Sequence, residues 1–127
     1  MFALWQVAEG MGLSNADSRE NIASFLERNP GLSFVAYDGD RLVGTILCGH
    51  DGRRGYLYHL AVSVSHRHQG IGRDLATRSL SALRQGNIDK CHIFVYKENQ
   101  GAIAFWDCIG WIERIELIIM SKMTSDD

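Results

Sequence analysis

Little in this sequence breaks it into parts. One proline occurs in 127 residues, and no internal repeat or low-complexity segment interrupts the chain. A single compact domain over residues 1–127 is expected, with 124–127 a loose polar tail. The 13 Lys and Arg residues meet 15 Asp and Glu, so no excess of positive charge points to nucleic acid. No stretch of about 18 apolar residues is present to cross a membrane as a helix. The three cysteines, Cys48, Cys91 and Cys108, are odd in number and have no paired metal-ligand spacing. They read as buried reduced thiols of a cytoplasmic protein, with Cys108 the one open to reactivity. The Met1 start has no basic segment followed by an apolar core, so a secretory signal is not expected. Dinucleotide and P-loop binding lose their sequence support, because neither Gly-x-Gly-x-x-Gly nor Gly-x-x-x-x-Gly-Lys-Ser/Thr occurs.

What is present centres on residues 56–85. The alternating run 56–62 reads as a strand and 70–83 as a helix, with Arg67-His68-Gln69-Gly70-Ile71-Gly72 as the corner between them. Two glycines one residue apart let backbone approach backbone or ligand closely. The helix start behind them offers unpaired N–H groups and the positive end of a dipole, which suits an anion. Arg67, Arg73, Arg78, His66 and His68 surround a single carboxylate, Asp74, so this is a basic cluster in a slightly acidic chain. The same composition also fits an ordinary strand-to-helix turn with solvated arginines.

Around this corner the expected order is helix, helix, three strands, helix, strand, helix, strand. Residues 2–11 carry an apolar helical stripe. Ser14 to Ser18 cap a second helix bearing Ile22, Phe25 and Leu26, which Asn29-Pro30-Gly31 stops. Runs 32–38 and 41–48 flank the hairpin signal Asp38-Gly39-Asp40. Strand 56–62 joins them, and 91–96 follows the long helix, so a right-handed crossover should place those two strands parallel. Asn99 can cap a helix with Ala102, Phe105, Trp106 and Ile109 on one face, Gly110 ends it, and 111–120 reads as a final strand. The fold class is α/β with a mixed, twisted sheet.

Residues 62–72, ending Arg67-His68-Gln69-Gly70-Ile71-Gly72, resemble the Arg/Gln-x-x-Gly-x-Gly/Ala motif of the GCN5-related N-acetyltransferases. Asn99, Ala102, Phe105, Trp106, Gly110 and Trp111 resemble that family's Asn-x-x-Ala-x-x-Phe-Tyr-x-x-x-Gly-Phe. The likeness covers roughly residues 2–120, with only the pattern matching at the N-terminal end. Family members usually begin with a strand ahead of the first helix, and here that strand looks absent. An uncovered sheet edge invites pairing, so a homodimer is conceivable.

The resemblance implies acetyl-CoA as co-substrate and a primary amine of a small molecule or peptide as acceptor, with no metal. Arg67, His68, Gln69, Gly70, Ile71, Gly72 and Arg73 would hold the pyrophosphate. Leu60, Ala61 and Val62 would pair with the pantetheine arm where the strand splays from its neighbour, and Asn99, Phe105 and Trp106 would line the same cofactor. The amine attacks the thioester directly, and a strand N–H steadies the oxyanion. His59 is the candidate base, since an imidazole titrates near neutrality and the strand has no Asp or Glu. Period two sets His59 on one face with Leu57 and Ala61, where it can equally be a packed, hydrogen-bonded residue. The family's usual acid, a tyrosine, is replaced by Trp106, whose indole N–H cannot serve. Tyr96, Tyr58 and Cys108 remain as substitutes, and the thiolate can also leave unaided. For Asn99 a cap competes with a cofactor contact. A catalytically weak acyl-CoA sensor or interaction module is the alternative function.

Overall fold

The computed structural model describes Leu4, Trp5 and residues 15–125. The apolar stripe expected over 2–11 therefore lies outside the described residues except at Leu4 and Trp5, which are helical. The chain divides into two compact units, Met1–Tyr96 and Lys97–Asp127.

In the first unit, a short 3-10 turn at Asn15–Asp17 leads into α1, Arg19–Arg28. Of the polar cluster before it, Ser18 is the cap: its hydroxyl accepts the Asn21 N–H at 3.2 Å. The helix ends where Asn29 turns inward. Its Nδ2 donates to Phe25 O, and its Oδ1 accepts the His50 N–H at 3.1 Å, so one buried amide ties α1 to the sheet.

Four strands follow: β1 (Phe34–Asp38), β2 (Arg41–His50), β3 (Gly55–Val62) and β4 (Cys91–Ile93). They lie in the order β1-β2-β3-β4, antiparallel twice and then parallel. Between β3 and β4 runs α2, Ile71–Gln85, the crossover expected from the sequence. Residues 43–49 of β2 are all buried, because both faces of the sheet are covered at this strand. On one face Trp5, Ile22, Leu47 and Ala61 pack with Leu4, Phe25 and Leu26. Against β1, β2 and β3 packs α2, whose Leu75, Ala76, Ser79 and Leu83 are buried. That approach is close: a Cβ on Gly55 would stand 2.5 Å from Leu83 Cδ1. Ser79 adds a buried tie, donating to Leu32 O at 2.8 Å. The C-terminus of α2 closes with Asn87 left-handed at φ 66° and the Ile88 N–H donated back to Leu83 O.

Two expectations about the strands of this unit need correction. Pairing between β3 and β4 stops at Leu57↔Ile93, so residues 94–96 are not strand and Tyr96 lies past the end of β4. The cause is in β3, which bends away through an extra residue just beyond that point. Period two also fails there. Thr45 pairs with Ala61 and Leu47 with Tyr58, so His59 and Leu60 together oppose Ile46. This is a bulge, and it puts Tyr58 and Ala61 on one face while Leu57 is on the other. His59 is thus not one of an alternating row with Leu57 and Ala61.

The second unit is built on α3, Gln100–Cys108. Asn99 caps it as expected, its Oδ1 accepting the Ala102 N–H at 3.1 Å. Gly110 ends it at φ 101°, with the Trp111 N–H donated to Trp106 O and the Gly110 N–H to Asp107 O. Trp106 and Trp111 meet edge to face, 5.0 Å apart, which completes the hydrophobic contact of this type of stop. The final strand expected over 111–120 does not form. Strands exist by pairing, and among the described residues none pairs with this run; Leu117 N–H instead turns back to Arg114 O, and Arg114 Nε meets Glu116 Oε1 at 2.5 Å. Ile112, Ile115, Leu117, Ile118 and Met120 are exposed.

Candidate functional site

The glycine corner has the geometry its sequence suggested. After β3 comes a single 3-10 turn, Val64–His66, held by Ser63 N–H to Val43 O at 2.7 Å and His66 N–H to Ser63 O at 2.9 Å. Arg67, His68, Gln69 and Gly70 then run exposed into α2, whose first residues are Ile71, Gly72 and Arg73. His68 and Gly70 both take left-handed backbone, φ 63° and 83°. No side chain caps this helix. Its first internal bond runs from Asp74 N–H to Gly70 O, so the amides of Ile71, Gly72 and Arg73 stand ahead of the ladder. A Cβ on Gly70 would meet nothing within 4 Å, so the space beside this residue is open. Arg67 Nε donates to Val62 O at 3.3 Å, fastening the corner to the strand end. His66, by contrast, is engaged elsewhere: Nε2 lies 2.8 Å from Asp38 Oδ2 and Nδ1 2.8 Å from Ser65 Oγ.

Leading into the corner, β3 runs from Tyr58 to Val62 with no β4 residue opposite it. The splay anticipated at Leu60, Ala61 and Val62 therefore opens just before them. At its start sits His59, with φ 51°. Its main chain is pinned by Thr45, a fully buried residue whose Oγ1 donates to His59 O at 3.0 Å and accepts Trp5 Nε1–H at 2.8 Å. Its ring lies 4.6 Å from the Trp5 ring, tilted by 54°, and its Nε2 is in hydrogen-bond contact with Asp17 Oδ1. Asp17, Trp5 and Thr45 were absent from the residues that sequence reasoning selected. No spacing reveals them, since the contact with Asp17 spans 42 positions.

The remaining candidates divide by element. Tyr96 is 59% exposed. In the second unit, Asn99 is committed to its cap, Phe105 is half-buried, and Trp106 is buried with the Phe105 ring edge-on to it. The cysteines are only partly as expected. Cys48 is buried and Cys91 half-buried, and burial pushes their thiols up to about 12 and about 11 respectively, whereas Cys108 is exposed. Exposure follows from its place at the end of α3, on a face the helix does not bury. Among the described residues no group of three His, Cys, Asp or Glu side chains is placed to hold a metal, and no helix is long and apolar enough to cross a membrane.

A mixed sheet opened at one strand, with an uncapped helix start behind a left-handed glycine, is an α/β arrangement whose helix start suits an anion. Residues 2–111 match the model of the acetyltransferase (GNAT) family, and the chain belongs to that family. It is an N-acetyltransferase by family, with acetyl-CoA as co-substrate. The chain is similar to an acetyltransferase of Pectobacterium atrosepticum, 28% identical over 127 residues, covering 100% of this chain and 89% of that protein. It is similar also to N-alpha-acetyltransferase 30 of Schizosaccharomyces pombe, 30% identical over 104 residues, 78% of this chain and 69% of the relative. Among solved structures, the NatC complex bound to Gag peptide and CoA superposes with a TM-score of 0.72 at 25% identity, over 89% of this chain and 77% of the other.

Proposed function

We propose that this chain, as one catalytic domain, transfers the acetyl group of acetyl-CoA to a primary amine by direct attack of the amine on the thioester. The pyrophosphate lies on the amides of Ile71, Gly72 and Arg73, with Gly70 leaving room and Arg67 and Arg73 adding charge-assisted contacts. Leu60, Ala61 and Val62 offer main-chain groups to the pantetheine arm, because β4 leaves them unpaired on that side. The observation that carries this reading is the bulge at His59. It lies in β3 at the start of the stretch along which the arm would lie, and it delivers an imidazole and irregular main chain to one place.

The chemistry then needs few groups. The acceptor arrives as a cation and must lose a proton before its lone pair can attack, and the His59 imidazole takes that proton. A C–N bond forms, the carbonyl oxygen becomes an oxyanion, and a main-chain N–H near the bulge stabilises it. The C–S bond breaks, CoA departs as a thiolate, and the nitrogen, left cationic by the attack, gives its second proton to water or to the departing sulfur. Exposed Tyr96 is the candidate to protonate that sulfur; at neutral pH a thiolate also leaves without help. The amine class stays as wide as small molecules and peptides. A peptide N-terminus is the first acceptor to try, because the fission-yeast relative and the NatC structure are named for that chemistry.

Calorimetric titration with acetyl-CoA, alongside CoA, ATP and NADH, tests the cofactor half: the CoA compounds should bind and the others should not. Thiol release in the presence of peptides, polyamines, aminoglycosides and free amino acids tests the transfer. CoA binding with no release above the amine-free rate for any acceptor would leave a binding protein in place of an enzyme. A homodimer formed through a sheet edge is also part of this reading, to be checked by light scattering.

A further inference from the structure

Most hydrogen bonds around the β3 bulge serve its main chain. One serves the ring. His59 Nε2 contacts Asp17 Oδ1, and both side chains are only 13% exposed. A carboxylate oxygen accepts and does not donate at neutral pH, so the hydrogen in this contact belongs to Nε2. The bond on one imidazole nitrogen decides which nitrogen is left as the base. Among the described residues nothing pairs with Nδ1. Of the elements packed around the ring, the turn at Asn15–Asp17 brings the charged group, Asp17; the Trp5 ring is uncharged, as is the Thr45 hydroxyl behind the His59 carbonyl.

We propose that Asp17 is a positioning residue for acetyl transfer: its carboxylate keeps the His59 proton on Nε2, leaving Nδ1 as the nitrogen that takes the proton from the acceptor amine. This rests on the acetyl-transfer reading above for its consequence, though the arrangement can be observed without turnover. Three constraints act on one residue. Thr45 holds the carbonyl, the bulge sets the left-handed φ, and Asp17 sets the tautomer and the ring plane. When Nδ1 gains a proton, the carboxylate already facing the ring stabilises the imidazolium, and the proton is then released to water. No oxidant, metal or second base is required. The two partners sit on different elements, so the base is competent only when the turn ahead of α1 is docked against the sheet.

A bland role for Asp17 would be to anchor that turn. Asp17→Asn separates the roles, since it keeps the size and an acceptor oxygen while removing the charge and the one-way demand for an N–H. Expected for Asp17→Asn is a fall in kcat of about tenfold to a hundredfold, with the KM for acetyl-CoA and the melting temperature near wild type. Asp17→Ala should fall further. Wild-type kcat in Asp17→Asn would overturn the proposal, as would a loss that appears only as lowered melting temperature. The second readout is proton NMR of the unliganded protein. The Nε2–H in the contact should give a far-downfield resonance that disappears in both His59→Gln and Asp17→Ala. Its absence from wild type, or its survival in Asp17→Ala, would equally overturn the arrangement. If wild type carries the resonance yet acetylates no amine, acetyl transfer is the reading that fails while the Asp17–His59 pairing stands.

Discussion

Two irregular places in the first unit, the bulge at His59 and the corner at Gly70, use the same left-handed backbone for opposite ends. At the corner the conformation is local: glycine adopts φ 83° without a Cβ to clash, and the space beside it is open. At the bulge a histidine adopts φ 51°, and its surroundings are full, with Thr45 on the carbonyl, Trp5 beside the ring and Asp17 on Nε2. A residue with a side chain in that region is held there by its neighbours. One irregularity leaves open space, where the proposed function puts a ligand; the other fixes a side chain that would act on it.

The sharpest way to break the comparison is at the bulge. His59→Gln keeps a polar side chain there and removes the imidazole base, so kcat should fall by about 10²–10⁴-fold while calorimetric affinity for acetyl-CoA is retained. An unchanged rate and unchanged pH profile would mean that His59 only braces the strand. At the corner, Gly70→Val should reduce acetyl-CoA affinity by about a hundredfold, since a branched side chain would fill the pyrophosphate space and strain the left-handed backbone, a strain of roughly 1–2 kcal/mol. Gly39→Val is its control. Gly39 has φ 64° and equally open surroundings in the β1–β2 turn, so it shares the strain without the ligand. Equal loss of affinity in the two variants would refute the anion corner.

Thr45→Val sharpens the contrast from behind the bulge. It leaves the Trp5 indole N–H and the His59 carbonyl without the hydroxyl that joins them, and should lower stability by about 2–4 kcal/mol, read by urea denaturation, with kcat reduced as the bulge relaxes. A variant as stable as wild type would show that the bulge is set by the strand alone. The mildest effect concerns the thiols. Burial raises Cys48 to about 12 and Cys91 to about 11, so both stay protonated at pH 8 and become thiolates only as pH climbs toward those values. Alkylation at pH 8 followed by mass spectrometry should label Cys108 at least about ten times faster; equal labelling would mean that the sheet opens readily.

Where the sequence was legible, the determinants were near one another in the chain. The Arg67 to Gly72 run announces a strand-to-helix corner because glycine and the following helix periodicity act locally. Asn99 and Gly110 likewise mark both ends of α3 through caps formed within a few residues. The run 111–120 shows the limit of that logic. Its apolar, β-branched residues satisfy strand preference, yet preference supplies no hydrogen-bonding partner, and the run turns at Arg114. The parity of β3 failed for the related reason that one inserted residue inverts every facing beyond it.

By itself, then, the sequence determined the order of elements from α1 to α3, the mixed sheet with its crossover helix, the family, and the corner on which acetyl-CoA is expected to rest. Tertiary structure alone decided where β3 leaves β4, that His59 stands in a bulge, and that Asp17 and Trp5 meet it. Capping, turns and helix periodicity are written within a few residues of where they act. A bulge and the side chains that fill around it depend on which distant segments the packed core brings together.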